Sequence, residues 1–308
     1  MWRTVPPESI LKKEGTALDY SRRGFAGWML AALLGPRPGS TAASDSRLTL
    51  RRYHADAVIL LLGIPIFKRP GVGTGQVSVE ELGEGPQATR TLFFAAGSDP
   101  KRAHGLARLG WMRETLHTAG AAPAEIEYFG VMTSSPEESL DSARKSVDAS
   151  PGARSLFVAV NGRHANGRTR SSLAQFEFPS DAPWSDSGLI EKSHTAFSSA
   201  TVWRENAWPK WPQQPPPTFL FQLEALLKQR VKCAGTYIYN EQEYLLELAA
   251  PQQADKLLAI KGSIRNQRTA NRTTFRVWLE STPGSVVPVR IEFQPRSFLR
   301  LSFEALPA

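Results

Sequence analysis

From residue 50 onward the apolar and polar positions of this chain alternate with a period of two, the signature of strands with one face buried. Leu50–Leu62 (LRRYHADAVILLL) puts Tyr53, Ala55, Ala57, Ile59 and Leu61 on one face, and His54 and Asp56 on the other as a solvent-facing pair. Further strands are predicted at Gln76–Leu82, Arg90–Ala96, Trp111–Thr118, Ala124–Thr133, Ser155–Val160 and Ser171–Phe178. The last third is the most regular. Tyr237–Tyr244 reads as a hairpin with Asn240 in the turn, followed by strands at Leu257–Arg265, Thr273–Glu280, Val287–Phe293 and Phe298–Glu304. There, Phe275, Val277, Leu279, Val289, Ile291, Phe293, Leu299, Leu301 and Phe303 form the apolar face; Arg276, Arg290, Glu292, Arg300 and Glu304 form the opposite, ion-paired one.

Helical spacing interrupts this pattern in few places. Lys101–Leu109 reads as a short helical turn, and Pro136–Asp148 as a helix with Glu137 and Glu138 at its positive end. Residues 183–230 form an insertion with helices at Ser187–Ala200 and Thr218–Gln229. Between them lies WRENAWPKWPQQPPPTF, whose consecutive prolines impose an extended path. The segment Trp208–Pro217 is expected to stay exposed while the helices cross the sheet. The fold class that follows is mainly β: a large curved antiparallel sheet, open or half-barrel, with a helical insertion covering one side.

Composition narrows the function classes. The chain has 308 residues, mean hydropathy −0.29 and no apolar run long enough for a transmembrane helix, so no stable membrane span is expected. Its net charge of +8 is spread along the chain, and part of it belongs to Arg3, Lys12, Lys13, Arg22, Arg23 and Arg37. Nucleic-acid binding would call for clustered charge with stacking aromatics, and is set aside. The single cysteine, Cys233, excludes an internal disulfide and a multi-thiolate metal site.

The first 43 residues read as a leader, with 44–308 as a single β-rich domain. Ser21-Arg22-Arg23-Gly24-Phe25 resembles the twin-arginine export signal, with Arg22, Arg23 and Phe25 as its matching residues. A mildly apolar core runs to Leu34, then GPRPG breaks any helix, and Ser40–Ala43 offers small residues for cleavage. The resemblance implies passage through export machinery and a periplasmic or otherwise extracytoplasmic protein.

Candidate chemistry is sparse. Pro70–Gln76 (PGVGTGQ) suggests a phosphate cradle, but a strand follows it instead of a helix, so Gly71, Gly73 and Gly75 read as a turn or bulge. None of His54, His104, His117, His164 and His194 stands at metal-ligand spacing, and no Gly-x-Ser-x-Gly occurs. No catalytic residue, metal site or cofactor is assigned. The aromatic set Trp184, Trp203, Trp208 and Trp211 near the insertion is the candidate ligand-binding group, for an apolar ligand or a glycan.

VWLESTPGSVVPVRIEF and SFLRLSFEA resemble the closing strands of a family of bacterial exported β-proteins of unknown function. LLGIPIFKRPGVGTG, RAHGLARLGW, YFGVMTSSPEESL and YIYNEQEYLLEL are similar to further stretches of that family, over residues 50–306. The resemblance implies an exported, β-rich protein and transfers no catalytic residue. The reading carried forward is a non-enzymatic envelope protein that binds a lipid or other hydrophobic small molecule. Two alternatives remain: an envelope scaffold that binds protein, and a hydrolase without a recognisable motif.

Overall fold

The computed structural model describes residues 46–61, 64–99, 101–102, 108–120, 122–133, 154–179, 187–200, 203–207, 215–282, 284–296 and 299–307. The segment 1–43 expected to be a leader, the helix predicted at 136–148, His104, Trp184, Trp208 and Trp211 lie outside them. The fold is mainly β, a large antiparallel sheet with a helical insertion. Its strands are β1 (Ser46–Leu61), β2 (Ile64–Leu82), β3 (Thr89–Ser98), β4 (Leu109–Ala119), β5 (Ala122–Thr133), β6 (Arg154–Ala165) and β7 (Arg168–Pro179). Helix α1 (Ser187–Ala200), β8 (Arg204–Ala207) and helix α2 (Phe219–Gln229) follow. The chain closes with β9 (Cys233–Tyr239), β10 (Gln242–Leu248), β11 (Gln252–Ala254), β12 (Leu257–Asn266), β13 (Arg272–Glu280), β14 (Arg290–Arg296) and β15 (Leu299–Ala305).

The strand order is β8-β7-β6-β5-β4-β3-β2-β1-β15-β14-β13-β12-β10-β9, with β11 against β12, so the first and last strands of the chain's sheet, β1 and β15, are neighbours at its centre. The ends, β8 and β9, do not pair, and the sheet is open. It nevertheless curls far enough to pack on itself. The rings of Tyr128 on β5 and Tyr239 on β9 lie 4.9 Å apart, and Ser171 Oγ on β7 donates to Glu241 at 2.9 Å.

Alternation decides which side chains meet. On β3, Leu92 and Ala96 belong to one apolar cluster and Phe93 and Ala95 to another. Successive side chains point to opposite faces, so the first cluster marks the inside of the curl and the second its outside. The inner core draws on strands from Tyr53 to Phe303 and on Phe219, Leu220, Leu226 and Leu227 of α2. α2 thus supplies the cover on the inner side. α1 packs on the outer face through Leu189 and Phe197, against Phe129, Phe157 and Phe176.

Turn chemistry sets the register of the hairpins. Asn240 and Glu241 both have positive φ (46° and 62°), as do Asn166 and Gly167 (51° and 71°), the requirement of two-residue loops that match strand twist. The C-terminal meander is arranged as its alternation predicts. Val277, Leu279, Ile291, Leu301 and Phe303 are buried, while Trp278 on the other face lies between the guanidinium groups of Arg276 and Arg290, 5.4 and 4.7 Å from its ring. Arg290 pairs there with Glu292 and Glu304.

The β1–β2 pair departs from the simple pattern. Its register slips between Ala55 and Ala57, where Gly73 and Arg69 are the respective partners. Asp56 faces this bulge, accepting from the Gly71 N–H at 2.8 Å and pairing with Lys68 at 2.8 Å. It is buried, not solvent-facing as its place beside His54 suggested. Beyond the bulge Leu61 is exposed although it shares the face of Tyr53 and Ala55, because β15 accompanies β1 only as far as Ile59, while Val58 and Leu60 on the opposite face are buried. The glycine run therefore serves the bulge within a strand that begins at Ile64, well before Gln76. A Cβ at Gly73 would sit 2.2 Å from the Gly97 carbonyl oxygen, so β3 requires glycine there. The expected strand from Val287 begins only at Arg290, because the Val287 and Pro288 carbonyls accept from Arg51 and from the Tyr53 hydroxyl. Of the helical turn predicted at 101–109, residues 103–107 lie outside the described residues; Lys101 and Arg102 form a turn, and Leu109 already belongs to β4.

Candidate functional site

The inner site is built around the entry to α2. The first N–H groups of a helix have no partner within it, and Thr218 at the N-cap makes no side-chain cap of its own. The partner comes from the sheet. Glu114, fully buried on β4, accepts from Leu220 N at 2.9 Å, from Phe221 N at 3.1 Å and from the Thr218 hydroxyl. Burial raises its pKa to about 7, against the pull of these donors, which favour the carboxylate.

The approach to α2 is held equally firmly. The Pro217 carbonyl accepts from Ile238 N at 3.0 Å, and the Pro216 carbonyl lies 2.7 Å from Nδ1 of His164 and accepts its proton. His164 is buried and its pKa is lowered to about 4 by desolvation, opposed by that bond, so the ring is neutral at ordinary pH. Pro216 and Pro217 are themselves buried, which corrects the expectation of an exposed segment reaching to Pro217. A proline has no N–H to satisfy, but its carbonyl must find a donor when buried, and β6 and β9 supply them. At the far end Arg230 adopts a left-handed conformation (φ 52°) and donates to the carbonyls of Ser281, at 2.8 Å, and Thr282.

Between α2 and the inner face of β2, β3 and β12–β15 lies a cavity of about 120 Å³. Its walls are apolar: Leu220, Leu223 and Leu227 from the helix face Val79, Phe94 and Ile291 from the sheet, among others. At its rim Glu224 pairs with Arg90 and with Lys228, and Arg90 also pairs with Glu81.

A second hollow, of about 350 Å³, lies on the outer face beneath α1. Arg113, Thr115, Glu127, Phe129, Asn161, Arg163 and Arg170 project from β4–β7, and His194 and Trp203 complete it. His194 stacks on Phe129 at 4.6 Å, and the Arg170 guanidinium covers the Trp203 ring at 4.5 Å. Burial and the nearby Arg113 charge both lower the His194 pKa. His117, Glu125 and Glu127 bring their ligand atoms within 4.8 Å of one another at its edge, but Arg163 takes Glu125 and His117 faces Glu127 at 3.8 Å.

Of the four tryptophans expected to form one site, Trp203 is described, and it belongs to the polar outer hollow, not to the apolar cavity. Sequence reasoning passed over Glu114, His164 and Arg230. Their signal was faint: a lone glutamate within the otherwise apolar-alternating stretch WMRETL, ahead of an uncapped helix.

No family model matches the chain, and no curated protein matches it. Among solved structures, one similar chain is the crystal structure of a beta-barrel-like protein of the domain of unknown function DUF1849 from Brucella abortus. It is 9% identical, with a TM-score of 0.41, over 84% of this chain and 97% of that one.

Proposed function

We propose that the protein is an exported, non-enzymatic carrier or sensor of an apolar or amphiphilic small molecule in the cell envelope. The reading rests on the cavity between α2 and the inner face: apolar walls, a charged rim at Arg90 and Glu224, and a covering helix tied by buried polar contacts at its first turn and by Arg230 past its last. Such a site takes an alkyl chain or ring by displacing no well-held water, and the rim suits a polar head. Export is part of the proposal and rests on the resemblance of Ser21–Phe25 to a twin-arginine signal.

Native mass spectrometry of protein purified from its own envelope tests the occupant. A co-purifying mass is expected, and Leu223→Trp, which fills the cavity from α2, should lose it while keeping the wild-type thermal transition. A bare wild-type mass, together with no saturable uptake of a fluorescent fatty acid, refutes the reading. Export has its own test: with Arg22 and Arg23 both changed to lysine, the precursor should remain in the cytoplasm, and unchanged export would remove the twin-arginine reading.

A further inference from the structure

The four most exposed large apolar side chains among the described residues lie together at one hairpin end: Ile64 at 66%, Leu61 at 60%, Ile66 at 59% and Phe67 at 56%. Leu61 pairs directly with Ile64, and Phe67 with Ile59. This end of the β1–β2 hairpin overhangs the sheet. β15 accompanies β1 only as far as Ile59, and β3 joins β2 only from Gly73, so Ile64–Val72 has β1 as its one neighbouring strand among the described residues.

A free apolar hairpin is unfavourable in water, and contiguous exposed patches of this kind mark an interaction surface. What lies behind the patch identifies the partner. Lys68 and Arg69 follow Phe67 directly, and the Arg102 guanidinium lies against Gly71, where an added Cβ would meet it at 2.8 Å; Lys101 is next to it in the chain. Three carboxylates accompany these four cations: Asp56 on Lys68, Asp99 at 3.7 Å from Arg102, and Glu304, near enough to Lys68 to favour its charged form. An apolar tip with a net basic collar is the pattern that meets an anionic phospholipid surface, with hydrocarbon at the tip and phosphate at the collar.

We infer that the β1–β2 tip, through Leu61, Ile64, Ile66 and Phe67, docks this protein onto an anionic phospholipid bilayer. Insertion is shallow, because the outer edges of the two overhanging strands have no neighbouring strand among the described residues, and the hydrocarbon core would not tolerate strand edges. This surface is separate from the cavity, and its failure would leave the cavity reading untouched.

Flotation of the full chain with phosphatidylglycerol–phosphatidylethanolamine vesicles, against pure phosphatidylcholine vesicles, tests it. Binding to the anionic vesicles is expected to fall about tenfold or more in the Ile66→Ser, Phe67→Ser double variant. It should fall with added salt and in Arg69→Gln, Arg102→Gln, and stay unchanged in Leu48→Ser, Leu50→Ser, which alters exposed leucines elsewhere. An environment-sensitive label at position 66, in a Cys233→Ser background, should brighten when anionic vesicles are added, reporting on the tip whatever residues 1–45 do. Absence of flotation, equal flotation of the tip variant, or a silent label overturns the inference. So does a wild-type dimer that the tip variant converts to monomer, which would make the patch a contact between copies of the chain.

Discussion

The two helices of the insertion lie on opposite faces of the sheet, in different surroundings. α2 rests on an apolar cavity and is anchored by polar contacts, with Glu114 at its first turn and Arg230 past its last. α1 lies beside a polar hollow and is anchored by grease, with Leu189 and Phe197 among the phenylalanines of the outer face. α2 packs Phe219, Leu220, Leu226 and Leu227 into the inner core, and directional bonds at its two ends satisfy backbone groups that the packing leaves open. Placement that depends on a few hydrogen bonds is also placement that a proton can alter.

The largest effect should come from Glu114→Ala. Two backbone N–H groups and the Thr218 hydroxyl lose a buried acceptor, a cost of about 4 kcal/mol read by chemical denaturation. A loss below about 1 kcal/mol would mean that α2 is held by its apolar face alone, and the contrast with α1 would collapse. Leu189→Ala should cost about 3 kcal/mol through the cavity it leaves under α1. Chemical shifts around α2 should stay put in that variant; if they move, the two faces are coupled.

pH sharpens the comparison further. Between pH 4.5 and about 7 the folded chain keeps a proton on Glu114 that the unfolded chain has released, so this stabilisation is lost as pH rises. Between about 4 and 6.5 the unfolded chain carries a proton that folded His164 lacks, so stability is gained as pH rises and lost as it falls. The two trends oppose each other across nearly the same window. Relative to wild type, Glu114→Gln should therefore become more acid-labile between pH 6.5 and 4, and His164→Gln should lose stability between pH 4.5 and 7. Parallel melting-temperature profiles for all three proteins would refute both assignments. The smallest effect is expected at the outer hollow: Arg170→Ala removes an exposed cation from the Trp203 ring and should cost about 0.5 kcal/mol.

Legibility of the fold followed the regularity of the alternation. β12, β13 and both insertion helices lie within a residue or two of where their patterns put them, because each has one wet and one dry face. β6 and β7 run well past their predicted inner ends. The Asn166–Gly167 dipeptide that joins them is a strong hairpin signal, but the polar residues on either side hid the strands it links. Leu61 keeps the face its alternation gives but is exposed, because β15 accompanies β1 only as far as Ile59, and where a partner strand stops is not written in the local pattern.

The site was less legible than the fold. Glu114 reads as an ordinary polar position on a strand; its role exists only because α2, more than a hundred residues later, brings its first turn to that spot. His164 likewise becomes a donor to Pro216 only when the chain returns over β6. Alternation, turn residues and helical spacing are properties of neighbours along the chain, so strand and helix identity, the apolar face of the meander and the Asn240 turn were available from the residues alone. Curling of the sheet, burial of Pro216 and Pro217, and the division of two helices between its faces depend on contacts between segments far apart in the chain. No local pattern encodes those, because the same alternating strand suits either face until a partner arrives to bury it.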